Sequence, residues 1–161
     1  MSDYKLPVEQ ETAVTYKNIH VSCTAFQENE IIPRRYTCDG ANINPSLNLD
    51  HIPEKAKTLA IIVDDPDAPA GTWVHWVIWN IPVTHHLKEN LTRGISGLND
   101  FGKTMYCGPC PPKGTHRYFF KVYALDCDLE LPAGVRKGDL EKAMSGHIIG
   151  FGELIGLYKK E

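Results

Sequence analysis

Three apolar runs, each closed off by residues that stop regular structure, constrain this chain more than anything else in it. Thr58 to Val63 reads TLAIIV, Trp73 to Ile81 reads WVHWVIWNI, and Arg117 to Leu125 reads RYFFKVYAL. Short runs rich in β-branched and aromatic residues mark strands buried on both faces. The first runs into Asp64-Asp65-Pro66-Asp67-Ala68-Pro69-Ala70-Gly71, where proline and glycine forbid continuation, and the second ends at Pro82. Alternation predicts a further strand over Ile19–Phe26, a short one around Leu47 and Leu49, and a closing strand over Leu154–Tyr158. Only Asp139–Ile148 has helical spacing, through Leu140, Ala143, Met144 and His147. Residues 83–115, rich in Gly, Pro, Asn and His, read mostly as loop, and a loop that long is usually functional or packed by its own side chains. The expected fold is mostly β, an antiparallel β-sandwich with one or two short helices. Its length of 161 residues suits one core, so residues 1–18 are expected to be an N-terminal arm and 19–161 a single domain.

Several function classes drop out on charge and patterning. A net charge of −3 gives no basic field for nucleic acid or an anionic membrane. The N-terminus, MSDYKLPVEQETAVTYKN, lacks the basic start and apolar run of a secretory signal. No apolar stretch approaches the about 18 residues that span a bilayer. Cytoplasm is therefore the expected compartment. The five cysteines, Cys23, Cys38, Cys107, Cys110 and Cys127, are an odd number, and without a secretion signal reduced thiols are expected.

The chemistry concentrates in residues 107–118, CGPCPPKGTHRY. The first four residues spell a dithiol motif of the thioredoxin type. Such a dithiol needs a helix starting at its first cysteine, whose dipole lowers the thiol pKa. Cys110 precedes Pro111 and Pro112, and a residue before proline is driven out of helical backbone angles. The motif's βαβ setting is also missing. A zinc site from Cys107, Cys110 and His116 lacks a completing ligand pair. Cys107 and Cys110 are expected to be small side chains on a rigid loop, with no metal and no cofactor. The remainder of the run suits an anion pocket. Glycines allow close backbone approach and prolines fix the direction of the remaining N–H groups, so Gly108 and Cys110 are expected to aim theirs at a phosphate, carboxylate or sulfate. His116 and Tyr118, two apart on a strand, project from one face.

By the same alternation Trp73, His75, Val77 and Trp79 share a face of the second run. Taken alone, His75 is a core histidine with a satisfied hydrogen bond, and Asp64-Asp65-Pro66-Asp67 an ordinary acidic turn. Taken together, a carboxylate, two imidazoles and a phenol converge at strand ends flanked by Gly/Pro loops. Asp65 is then placed to fix the tautomer of His75 or to favour its protonated form. No serine lies in a nucleophile elbow, so no catalytic residue is assigned. His85-His86 are expected on a surface turn, Trp76 and Trp79 in the core or an interface, and Arg34-Arg35 and Lys159-Lys160 in solvent.

Asp65-Pro66-Asp67-Ala68-Pro69, Trp73-Val74-His75, Gly108-Pro109-Cys110-Pro111-Pro112-Lys113-Gly114 and His116-Arg117-Tyr118, in that order, resemble the phosphatidylethanolamine-binding protein family, which includes the Raf kinase inhibitor proteins. The resemblance runs from about Phe26 to Tyr158. It implies an antiparallel β-sandwich whose pocket is lined by Asp65, His75, Gly108, Cys110, His116 and Tyr118. Trp73, Pro109 and Pro111 would shape that pocket and Asp67 would support its turn. Val74 stands where eukaryotic members often carry a second histidine, the Gly114–His116 loop is short, and the chain stops after its last strand at Tyr158-Lys159-Lys160-Glu161. These departures resemble the bacterial branch, so kinase inhibition and flowering signals are not carried over. The implied function is binding of a small anion or phosphorylated head group, with a regulatory role, no enzymatic activity, no nucleic acid or integral membrane partner, no identified protein partner, and a homodimer. The alternatives are an enzyme, either a thiol–disulfide oxidoreductase using Cys107 and Cys110 or a hydrolase using His75 and Asp65, and a protein-interaction module that keeps the pocket as a regulatory site.

Overall fold

The computed structural model describes residues 18–160. All but the last residue of the expected arm lie outside them. In chain order the elements are β1 (His20–Ser22), β2 (Glu30–Ile31), β3 (Leu47–Asp50), β4 (Thr58–Asp65), β5 (Trp73–Pro82), β6 (His86–Leu87), β7 (Ile95–Ser96), β8 (Thr115–Leu125), α1 (Lys137–Met144) and β9 (Ile148–Lys159), with a 3-10 turn at Arg34–Tyr36. They form a small sheet, β1-β3-β6, and a large one, β2-β9-β8-β4-β5-β7. Every pairing is antiparallel except β2 with β9, a two-residue parallel contact at the edge. The expected mostly β sandwich is therefore the fold.

Alternation along the central strands separates two cores. On one face of the large sheet Leu59, Ile61 and Val63 of β4 join Phe120 and Val122 of β8, covered by Leu47 and Leu49 of the small sheet. On the other face Ala60, Ile62, Tyr123 and Leu125 pack under Leu140 and Met144 of α1. Burial of both faces explains why β4 carries an unbroken apolar run: all eight of its residues are buried. Asp64 falls on the helix side, where its carboxylate takes Lys121 at 3.1 Å and Lys137 at 2.9 Å. Asp65, one residue on, falls on the sandwich side.

Three expectations need correction. The helix ends at Met144, not Ile148, because Ser145 and the positive-φ Gly146 break it. The last strand starts at Ile148 rather than Leu154. Gly150, Gly152 and Gly156 dilute its apolar pattern, but they sit where other chain segments press on the strand. A side chain at Gly152 would run into the carbonyl oxygen of Ile19.

The third correction concerns β5. Val63 pairs with Trp76, whereas Asp64 pairs with Val74, so the ladder slips by one residue at His75. This is a β-bulge, which re-aims a side chain without ending the strand. As a result Trp73 and His75 do not share a face with Val77 and Trp79. The latter two lie in the helix-side core, while Trp73 and His75 face a cavity on the sandwich side. The two tryptophans expected in the core, Trp76 and Trp79, are 3% and 0% exposed, one on each side of the sheet.

Candidate functional site

The cavity of about 350 Å³ opens at one end of the sandwich. There β4 ends in Asp65, β5 begins with Trp73 and His75, and β8 begins with His116 and Tyr118. Of the ten residues expected in the site, Asp65, Trp73, His75, Cys110, Pro111, His116 and Tyr118 line this space. Asp67, Gly108 and Pro109 do not. Ala68, Pro69, Ala70, Phe101 and Pro112 complete the lining. Most of these additions neighbour quoted motifs. Phe101 carries no such signal and comes from the long loop after β7.

The polar partners differ from those expected. Asp65 does not touch His75. Its Oδ1 accepts the Asp67 amide at 2.7 Å and its Oδ2 meets Nδ1 of His116 at 2.6 Å. The other ring nitrogen of His116 faces the Lys113 carbonyl at 3.2 Å. Both ring nitrogens thus face oxygen acceptors, which hold the ring between Asp65 and Lys113. Asp67 stands outside, receiving the Arg117 amide and the Arg117 guanidinium, all at 2.9 Å. Hydrogen bonds from Arg117 hold the Asp67 carboxyl below its usual range.

His75 is 3% exposed, and its Nδ1 lies 2.6 Å from the Cys107 carbonyl. A carbonyl only accepts, so Nδ1 carries the proton and the neutral ring presents the lone pair of Nε2. Among the described residues Nε2 has no hydrogen-bond partner. Burial lowers the His75 pKa, against the opposing effect of the Cys107 carbonyl and the carboxylates of Asp65 and Asp64. The rings of Phe101 and Tyr118 stand edge-on to the imidazole at 5.2 Å each.

Tyr118 is fully buried, and its hydroxyl makes no hydrogen bond of good geometry although the Asp65 carboxylate and the Cys110 amide lie close enough to act on it. Burial, then the Asp65 carboxylate, pushes its ionisation far up, while the Cys110 amide acts in the opposite direction. The phenol therefore stays protonated, with a donor to give. An unsatisfied buried hydroxyl is rare in native proteins and commonly marks a ligand or water position.

The cavity wall rests on a scaffold of buried backbone contacts. The Gly108 amide donates to Oδ1 of Asn42 at 2.7 Å, so it is not aimed at a ligand. A side chain at Gly108 would collide with the Tyr36 carbonyl oxygen and Oδ1 of Asn42. Its close approach is to the neighbouring loop, which is why only glycine fits. Pro109 accepts the Cys38 amide at 3.1 Å, and the Tyr106 hydroxyl donates to the Tyr36 carbonyl at 2.7 Å. Arg34 and Arg35 are not merely solvated, for Arg34 reaches the Asp39 carbonyl and Arg35 pairs with Glu89.

The thiols also depart from expectation. Cys110 forms a disulfide with Cys38, Cα to Cα 5.4 Å, while Cys107 is free and buried. No spacing rule links residues 72 apart, and the pairing arises only once the two loops meet. The bridge removes Cys110 from any dithiol with Cys107 and from any zinc site with His116. Residues 107–114 contain no helix, as the prolines require.

Asn99 was not singled out by its sequence, yet it organises the mouth. Wholly buried, it donates to the His75 and Met105 carbonyls and accepts the amides of Phe101 and Lys103. One side chain thereby ties the Phe101 loop to the bulged strand.

The chain is a mostly β sandwich with an end cavity built from a buried Asp–His pair, a carbonyl-pinned histidine and a buried tyrosine. The family model described as phosphatidylethanolamine-binding protein matches residues 22–159, and the chain belongs to that family. It is 50% identical over 149 residues to a UPF0098 protein of Pyrococcus abyssi, covering 86% of this chain and 84% of that one. A UPF0098 protein of Methanothermobacter thermautotrophicus is 51% identical over 144 residues, 84% of this chain and 95% of its own. Among solved structures, a phosphatidylethanolamine-binding protein homolog from Chlamydia trachomatis matches with TM-score 0.86 and 40% identity, covering 91% of this chain and 100% of that one. YbcL of E. coli, a member of the mammalian family, matches with TM-score 0.81 and 29% identity, covering 89% and 99%. Among the described residues no helix is long and apolar enough to cross a membrane.

Proposed function

We propose that this protein binds a small anion, such as a phosphate monoester or the phosphorylated head group of a lipid, in the end cavity. The observation that carries this reading is the Tyr118 hydroxyl, buried in the wall without a hydrogen-bond partner. His75 lines the same cavity with its Nδ1 taken by the Cys107 carbonyl, while both Asp65 oxygens are engaged. An oxygen of the ligand accepts from Tyr118. A protonated oxygen of the same group donates to the His75 lone pair, or an ionised one accepts once the ring takes a proton. Trp73, Phe101, Pro111 and Pro112 supply apolar walls that exclude water and strengthen both bonds.

The geometry gives less support to the enzymatic alternatives. A hydrolase using Asp65 and His75 needs those side chains to touch, and each is committed to another partner. An oxidoreductase using Cys107 and Cys110 needs them to exchange, and Cys110 is bridged to Cys38. The proposal is tested by thermal unfolding and calorimetry with inorganic phosphate and phosphoethanolamine. Both should stabilise the wild type, and neither should stabilise Tyr118→Phe or His75→Ala to the same extent. Equal shifts in all three proteins would refute it.

A further inference from the structure

A second group of reactive side chains meets at the far end of β8, roughly 30 Å along the strand from His116 at about 3.3 Å per residue. Asp126 and Cys127 follow the last residue of β8, and His147 immediately precedes β9. One donor atom from each, a carboxylate oxygen, a thiol sulfur and an imidazole nitrogen, lie within 4.8 Å of one another. Their backbones are held in place. The Asp126 amide donates to the His147 carbonyl at 3.0 Å, extending the β8–β9 ladder. Cys127 is anchored from a third strand, its carbonyl accepting the Thr58 hydroxyl at 2.9 Å.

The side chains remain accessible. Asp126 and His147 are exposed and Cys127 is half-buried. Nδ1 of His147 lies 2.9 Å from Oδ1 of Asp126, so the imidazole is already steered by the carboxylate. Burial, then the carboxylates of Asp126 and Asp128, raise the Cys127 thiol pKa, with Lys57 opposing them, so the cation itself has to displace that proton. One sulfur, one nitrogen and one oxygen form a borderline-soft set that suits zinc rather than calcium or magnesium, which take oxygen donors. Such a site has no CxxC or paired-histidine signature, which is why spacing does not reveal it.

We propose that Asp126, Cys127 and His147 bind one divalent cation of the zinc class, leaving a fourth position for water or an incoming group. On binding, the thiol gives its proton to solvent and sulfur becomes a thiolate ligand.

Cobalt(II) is the probe, because a thiolate ligand gives a charge-transfer absorption that oxygen and nitrogen ligands do not. The full chain, free of any histidine tag, should bind one equivalent of Co²⁺ with a near-ultraviolet thiolate band that Zn²⁺ bleaches stoichiometrically. Cys127→Ser should lose the band, and His147→Ala should bind at least tenfold more weakly, both with unchanged far-ultraviolet circular dichroism. No thiolate band at saturating Co²⁺ would overturn the proposal. So would a band that survives in Cys127→Ser, which would place the metal on Cys23 or Cys107. Phosphate binding at the other end is independent of this readout.

Discussion

Breaking the Cys38–Cys110 bridge should lower stability substantially while leaving the cavity formed. The bridge closes a loop of 72 residues. In the chain-entropy treatment a closure of that length restricts the unfolded chain by about 4 kcal/mol at 25 °C. The folded state does not depend on the bridge to keep the two loops together. The Cys38 amide to Pro109, the Gly108 amide to Asn42 and the Tyr106 hydroxyl to Tyr36 span the same gap at 2.7–3.1 Å. Loss of the covalent link therefore acts mainly on the unfolded state. With an m-value of about 2 kcal/mol/M, the urea midpoint should fall by about 2 M. The assay is urea unfolding of wild type and Cys38→Ser/Cys110→Ser, with titration of denatured oxidised protein for thiols. Three thiols are expected from five cysteines. Five thiols would show that the bridge does not form. A midpoint unchanged after its verified removal would refute the entropic reasoning, and loss of phosphate binding in the double variant would refute the claim that the hydrogen bonds alone hold the wall.

Burial lowers the folded-state pKa of His75 below its ordinary 6.5, so between those two values the unfolded chain binds more protons than the folded one. Stability contributed by the neutral ring is complete above about 6.5 and falls as pH drops toward the folded value; urea midpoints from pH 8 to 5 should show this slope in wild type and lose it in His75→Gln, and an identical slope in both would refute the assignment. In Asn99→Ala four backbone groups lose their bonds at once, so unfolding should become easier by about 3 kcal/mol, with new protease cleavage between Asn99 and Met105. Unchanged melting and an intact loop would show that Phe101 is positioned by other contacts.

What could be read from the sequence follows the range of each physical signal. β4, β5 and β8 were legible because burial on both faces writes itself as a continuous apolar run. The first half of β9 was not, because Gly150 and Gly152 answer to Pro53 and Ile19, which are distant in the chain. Asp65, His75, His116 and Tyr118 could be picked out by residue type and strand position. Their pairing could not. The bulge at His75 leaves no mark in the local alternation, yet it sends Val77 and Trp79 to the opposite face and sets which carboxylate meets which imidazole. Cys38 and Cys110 gave no signal either, since their meeting depends on two loops folding against each other. Asn99 and Phe101 lie in a stretch without period, where a side chain's importance depends wholly on what it reaches.

The polar accounting of the cavity also narrows what it can hold. A free carboxylate beside the ligand would repel an anion, but both Asp65 oxygens are occupied, one by a backbone amide and one by His116. Tyr118, the Cys110 amide beside it and the amphoteric His75 then decide specificity. Together they match a group carrying an acceptor oxygen next to one that can gain or lose a proton, as a phosphate monoester does near neutral pH. A sulfate ester cannot supply that proton and would need a charged His75, which burial opposes. A volume of about 350 Å³ also lies at the low end of ligand pockets, roughly 300–1,000 Å³, enough for a head group but not for acyl chains. On this reasoning phosphate should be preferred to sulfate by a margin that shrinks as pH falls, and a preference that does not change with pH would separate the selectivity from His75.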